Sequence, residues 1–63
     1  MAKKIDYTVN FEKENGNVAI AEILMNGKVD ITIKTPNNVT IIRHFDNTND
    51  MKNEMQALNY NAI

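Results

Sequence analysis

Sixty-three residues carry seven Lys or Arg against eight Asp or Glu, a formal net charge of −1, with one histidine and no cysteine. A chain this short lies near the lower size limit for a self-sufficient core, so one small domain at most is expected, and neither a disulfide nor a thiolate zinc site can reinforce it. The balanced charge argues against a clustered basic face for phosphate binding and against an acidic mimic of nucleic acid.

No apolar run approaches the ~20 residues of a membrane span, and the opening MAKKIDYTVN lacks the apolar stretch of a signal peptide. A cytoplasmic protein is therefore expected. Eleven asparagines suit an AT-rich coding sequence, as in a bacterial or phage-infected cell.

The first element alternates cleanly. In KIDYTVNFE, Ile5, Tyr7, Val9 and Phe11 take one side and Lys4, Asp6, Thr8, Asn10 and Glu12 the other. That period of two predicts a half-buried strand over about residues 4–12. Asn15-Gly16 fits a two-residue type I′ hairpin loop, which pairs Phe11 with Ile20, Val9 with Glu22, and Tyr7 with Leu24. The second strand, about 17–25, leads to another such pair, Asn26-Gly27. A two-residue loop there pairs Leu24 with Val29, Glu22 with Ile31, and Ile20 with Ile33.

The third strand, about 28–35, ends at Pro36-Asn37-Asn38. These residues fit a three-residue loop: a type I turn opened by Pro36, with Asn38 left-handed. The fourth strand, about 39–45, then pairs Ile41 with Ile33, Arg43 with Ile31, and Phe45 with Val29. All three registers place one apolar set on one face, and a slip of one residue would invert a strand. In DNTNDMKNEMQALNYNAI, Asn47 or Thr48 can cap a helix and Asp50 favours its positive end. Met51, Met55, Leu58 and Ala62 make one helical stripe over about 48–60. The expected fold class is α+β, a four-stranded antiparallel meander with a C-terminal helix on its apolar face. The alternative is β-α-β-β-α, with AIAEILM as a short helix that Asn26-Gly27 terminates.

Three sets of residues could carry function. Glu22 and Arg43 are the misfits on the expected core face, in one row Val9–Glu22–Ile31–Arg43, where they could pair over Ile31. A structural pair is the better reading, since no second polar group joins them. His44 falls opposite Asp30, in a row with Thr8 and Ile23. A catalytic dyad would need a nucleophile, and the chain has neither serine nor cysteine. A metal would want a third ligand. An exposed cross-strand pair is expected instead. Ala19, Ala21, Ile23 and Met25, with Ile42 nearby, read as an apolar outer stripe and a candidate interface. The methionines read as packing, and both glycines are absorbed by turns, so no cofactor and no metal is expected.

The small core and apolar stripe predict a homo-oligomer, a dimer in the simplest case. The favoured function is a non-enzymatic protein-interaction module, of the kind common among phage and prophage accessory proteins that bind and inhibit a host protein. The alternative is single-stranded nucleic-acid binding. A four-stranded antiparallel sheet followed by a helix resembles the single-strand-binding transcriptional coactivators, in architecture and without a shared motif. Such a site needs stacking aromatics on an exposed face, and of the aromatics only Tyr60 is expected to be free.

Overall fold

Each of the three loops between the main strands ends on a residue of positive φ: Gly16 at 95°, Gly27 at 88° and Asn38 at 64°. In the computed structural model, which describes residues 3–63, these loops join β1 (Ile5–Glu12), β2 (Val18–Leu24), β3 (Val29–Lys34) and β4 (Thr40–Phe45). The helix α1 (Thr48–Ala57) and a two-residue β5 (Asn61–Ala62) follow. The sheet is antiparallel throughout, in the order β4-β3-β2-β1-β5. The chain thus forms the expected α+β meander with a helix after it. The stretch AIAEILM lies mostly in strand β2, which rules out the β-α-β-β-α arrangement.

The three loops share one design. Gly16 N–H donates to the Lys13 carbonyl, Gly27 N–H to Leu24, and Asn38 N–H to Thr35, at 3.0, 2.9 and 3.1 Å. Each bond closes a type I turn, and the left-handed third residue returns the chain to the ladder. The two-residue loops expected at Asn15-Gly16 and Asn26-Gly27 are therefore corrected to three-residue loops. A type I′ loop needs positive φ at both central residues, whereas Asn15 and Asn26 do not have it. Their side chains instead accept the N–H two residues on, Asn17 and Lys28, each at 3.0 Å. An Asn-Gly pair serves either loop, and here the longer one forms.

One extra residue in each loop inverts β2 alone. Phe11 lies opposite Ala19, Val9 opposite Ala21 and Tyr7 opposite Ile23. Across the other ladder Ala19, Ala21 and Ile23 meet Ile33, Ile31 and Val29. The third hairpin keeps its expected register, with Ile33, Ile31 and Val29 opposite Ile41, Arg43 and Phe45. The inversion has a plain energetic reason. It takes the Glu22 carboxylate off the helix-covered face, and among the described residues no polar or charged side chain is buried. It also puts two small residues, Ala19 and Ala21, beneath the long side chains of Met51 and Met55. Ile20 and Leu24, expected inside, lie on the opposite face.

The core is Phe11, Ala19, Ala21, Ile23, Val29, Ile31, Ile33, Met51, Met55 and Tyr60. Asn47 caps α1, its side chain accepting Asp50 N–H at 2.8 Å. The helix ends earlier than expected, because Asn59 turns left-handed at φ 65°. Asn59 N–H donates to Gln56 and Tyr60 N–H to Met55, the paired bonds of a Schellman ending, with Tyr60 and Met55 both in the core. That ending reverses the chain. Ala62 pairs with Phe11 at the β1 edge instead of extending the helical stripe, and Leu58 is partly exposed. Among the described residues no helix is long and apolar enough to cross a membrane.

The two loop glycines make unequal demands. A Cβ on Gly16 would sit 2.8 Å from Pro36 Cγ, whereas one on Gly27 meets nothing within 4 Å. Both pay the left-handed penalty on substitution, about 1–2 kcal/mol. Gly16→Ala is expected to cost more than Gly27→Ala in urea unfolding, and equal losses would contradict the contact with Pro36.

Candidate interaction face

The face of the sheet away from α1 is open, and cross-strand pairing arranges it in rows. Glu12, Val18, Lys34 and Thr40 form one, and Asn10, Ile20, Thr32 and Ile42 the next. Thr8, Glu22, Asp30 and His44 form a third, with Leu24 opposite Ile5 beyond it, where a bulge shifts the β1 register. Val18, Ile20 and Ile42 are 48, 50 and 61 % exposed. Ile5, 42 % exposed, and Leu24 flank the charged row on its other side. The face is thus a charged row between two apolar areas.

Lys3 and the charged side chains of this row are linked to one another. Lys3 Nζ lies 3.0 Å from Glu22 Oε1 and 2.9 Å from Asp30 Oδ2. His44 Nδ1 lies 2.6 Å from Asp30 Oδ1. A carboxylate only accepts, so the proton is on Nδ1. The bonds from His44 and then Lys3 hold the Asp30 carboxyl below its ordinary range, while those to Asp30 and then Glu22 raise the Lys3 ammonium. Because the folded-state pKa of Asp30 is lowered, its contribution is complete above the usual aspartate range and is lost as pH falls through the lowered value. Asp30→Asn is expected to cost about 1 kcal/mol or less at neutral pH, in line with partly exposed pairs. The gap between parent and variant should close toward acid pH, and a gap that persists there would contradict the assignment.

The expected site residues are redistributed by the inversion of β2. Ala19, Ala21 and Ile23, taken from sequence as an outward stripe, are 1, 0 and 4 % exposed in the core. Met25 lies in the second loop, beyond the strand, and is exposed. Ile42 alone of that set stays on the outer face. Glu22 and Arg43 do not pair: they lie on opposite faces, Glu22 bonded to Lys3 and Arg43 to Glu54 at 3.4 Å. Asp30 and His44 do meet, in a row that Glu22 joins in place of Ile23. Ile20, Val18 and Lys3 were missed as outer-face residues. The signal for the first two was the alternation of β2, read in the wrong phase.

Tyr60 is likewise corrected. It is buried, its hydroxyl accepts from Asn17 Nδ2 at 3.1 Å, and Lys13 Nζ sits 5.5 Å from its ring centre. The aromatic left exposed is Tyr7, on the edge of the helix side. A polar groove of about 620 Å³ borders Tyr60 and the first loop. An apolar cavity of about 340 Å³ lies between α1 and β1, against Phe11, Met51 and Met55. Among the described residues no buried side-chain donor or acceptor lacks a partner, and no three acidic or histidine side chains are grouped to hold a metal. Both oxygens of Asp30 are engaged, one by His44 and one by Lys3. No family model, no curated protein and no solved structure matches this chain.

Proposed function

We propose that this chain is a non-enzymatic protein-interaction module that binds another protein through the open face of its sheet. The observation that carries the reading is the placement of Val18, Ile20 and Ile42, all near half exposed or more, beside an ordered charged row. Exposed apolar side chains gathered on a rigid face, bordered by fixed charges, are the usual makings of a protein-binding surface. The apolar part supplies burial on binding. The row Glu22–Lys3–Asp30–His44 supplies orientation, because its side chains are already held.

Affinity capture from cell lysate, with nuclease present, tests the reading. The parent chain should retain a defined protein, Ile20→Lys should lose it, and Lys52→Glu on the exposed side of α1 should keep it. Capture that is indifferent to Ile20→Lys would contradict the proposed face. Capture that disappears with nuclease would favour nucleic acid, against the near-neutral charge and the burial of Tyr60.

A further inference from the structure

The two edges of the sheet are treated differently. The β1 edge is guarded: β5 pairs with Phe11 and Glu12, Ile63 N–H donates to the Asn10 carbonyl at 2.9 Å, and a bulge interrupts the strand between Ile5 and Tyr7. These are the usual devices against edge-to-edge association. The β4 edge has none of them. Thr40–Phe45 contains no proline, no lysine and no bulge, its one formal charge, Arg43, is paired with Glu54, and among the described residues nothing pairs with its outer side. Its Ile41 and Ile42 are exposed, one on each face, as is Val39 just before it.

The main-chain groups offered by this edge follow from the third loop. Thr35 N–H donates to the Val39 carbonyl at 3.0 Å. Hydrogen-bonded and open pairs alternate along an antiparallel ladder, so Ile41, Arg43 and Phe45 bond to β3 while Thr40, Ile42 and His44 direct N–H and C=O outward.

We infer that β4 pairs with β4 of a second copy, antiparallel and centred on Ile42, joining two sheets into one through a two-fold axis. Three registers use the outward groups. Centred on Arg43, the pairing would set two guanidinium groups directly opposite each other. Centred on Ile41, it would set Ile41 against Ile41 but Ile42 against Thr40, Val39 against Arg43, and His44 against the loop residue Asn38. Centred on Ile42, Ile42 opposes Ile42, Val39 opposes Phe45, and Thr40 opposes His44. Ile41 then opposes Arg43, whose aliphatic stem can cover it while the guanidinium keeps Glu54. All the outward N–H and C=O groups of Thr40, Ile42 and His44 find partners in this register. A net charge of −1 per chain opposes the approach of two copies only weakly. The self-complementary pattern is what favours a second copy over a foreign strand.

Ile42 belongs to both the open face and this edge, but the pairing is argued from the main-chain groups of β4 and does not rest on the partner-binding reading, which also uses Val18 and Ile20 on β2. Sedimentation equilibrium from micromolar to millimolar concentration should give a reversible monomer–dimer mass for the full chain. Ile42→Pro, which removes an outward N–H, should be folded by circular dichroism and monomeric. If it fails to fold, Ile42→Lys, which sets like charges at the axis, should be folded and monomeric. Oxidation of Ile42→Cys should give a covalent dimer, because opposed Cα atoms of a hydrogen-bonded pair lie about 5.5 Å apart, within disulfide range. Thr40→Cys should cross-link far more slowly, its two copies being roughly 13 Å apart along the strand. A monomer throughout the range, a dimer that survives Ile42→Lys, a larger assembly, or equal cross-linking at both positions would overturn the pairing. A monomer that still captures its partner protein would overturn the pairing alone.

Discussion

Ala21→Asp is expected to leave the chain without a cooperative unfolding transition at room temperature, while Ile20→Asp, one residue away, retains one. Ala21 is fully buried on the central strand, opposite Ile31 and beneath the helix. A carboxylate there finds no cation and no donor, and an unpaired buried charge costs about 4 kcal/mol or more. A domain of this length has roughly 3–9 kcal/mol of total stability. Ile20 is half exposed on the other face, so Asp there should cost about 1 kcal/mol or less, mostly through strand propensity. Urea unfolding followed by circular dichroism reads both. Two-residue loops would reverse the order of the two variants, because Ile20 would then face the helix.

Ile31→Ala is expected to be the most damaging truncation of a single core side chain. Ile31 is wholly buried in the middle of β3, with Ala21 on one side and Arg43 on the other. The alanine neighbour is already small and cannot expand to fill the space. Truncation of a fully buried Ile costs about 2–5 kcal/mol, and poor collapse puts this site toward the upper part of that range. Ile42→Ala, on the open face, should change stability by about 0.5 kcal/mol or less when measured at concentrations where the chain is monomeric. Similar losses at the two positions would mean that the open face is not open.

The sequence carried the strands, their antiparallel order, the third hairpin and the helix cap, because each depends on chemistry within a few residues. Pro36 can open only certain turns, and Asn47 lies three residues before the N–H it accepts. The phase of β2 was not legible from local chemistry. Asn-Gly suits two loops that differ by one residue, and two compensating errors gave registers that agreed with one another. The spacing of the loops would have separated them. Their first residues, 14, 25 and 36, are 11 apart each time, and the third loop can be read on its own from Pro36. Glu22 was a second signal, since the correct phase removes a carboxylate from the core. The misread candidate interface follows directly: Ala19, Ala21 and Ile23 are core because β2 is inverted. The Schellman ending was missed although Asn59, a weak helix former and a common left-handed C′ residue, was a local signal for it. The Asp30–His44 pair was found because the register between β3 and β4 was right.

The orientation of β2 decides which side chains the open face presents, and thiol accessibility measures it most directly. The chain has no cysteine, so Ile20→Cys and Ala21→Cys each introduce a single thiol. Under native conditions the thiol of Ile20→Cys should react with a soluble maleimide at nearly the rate seen in denaturant. That of Ala21→Cys should be protected and react only through unfolding. The opposite order would put Ile20 beneath the helix, return Glu22 to the covered face, and contradict the open face on which the proposed function depends.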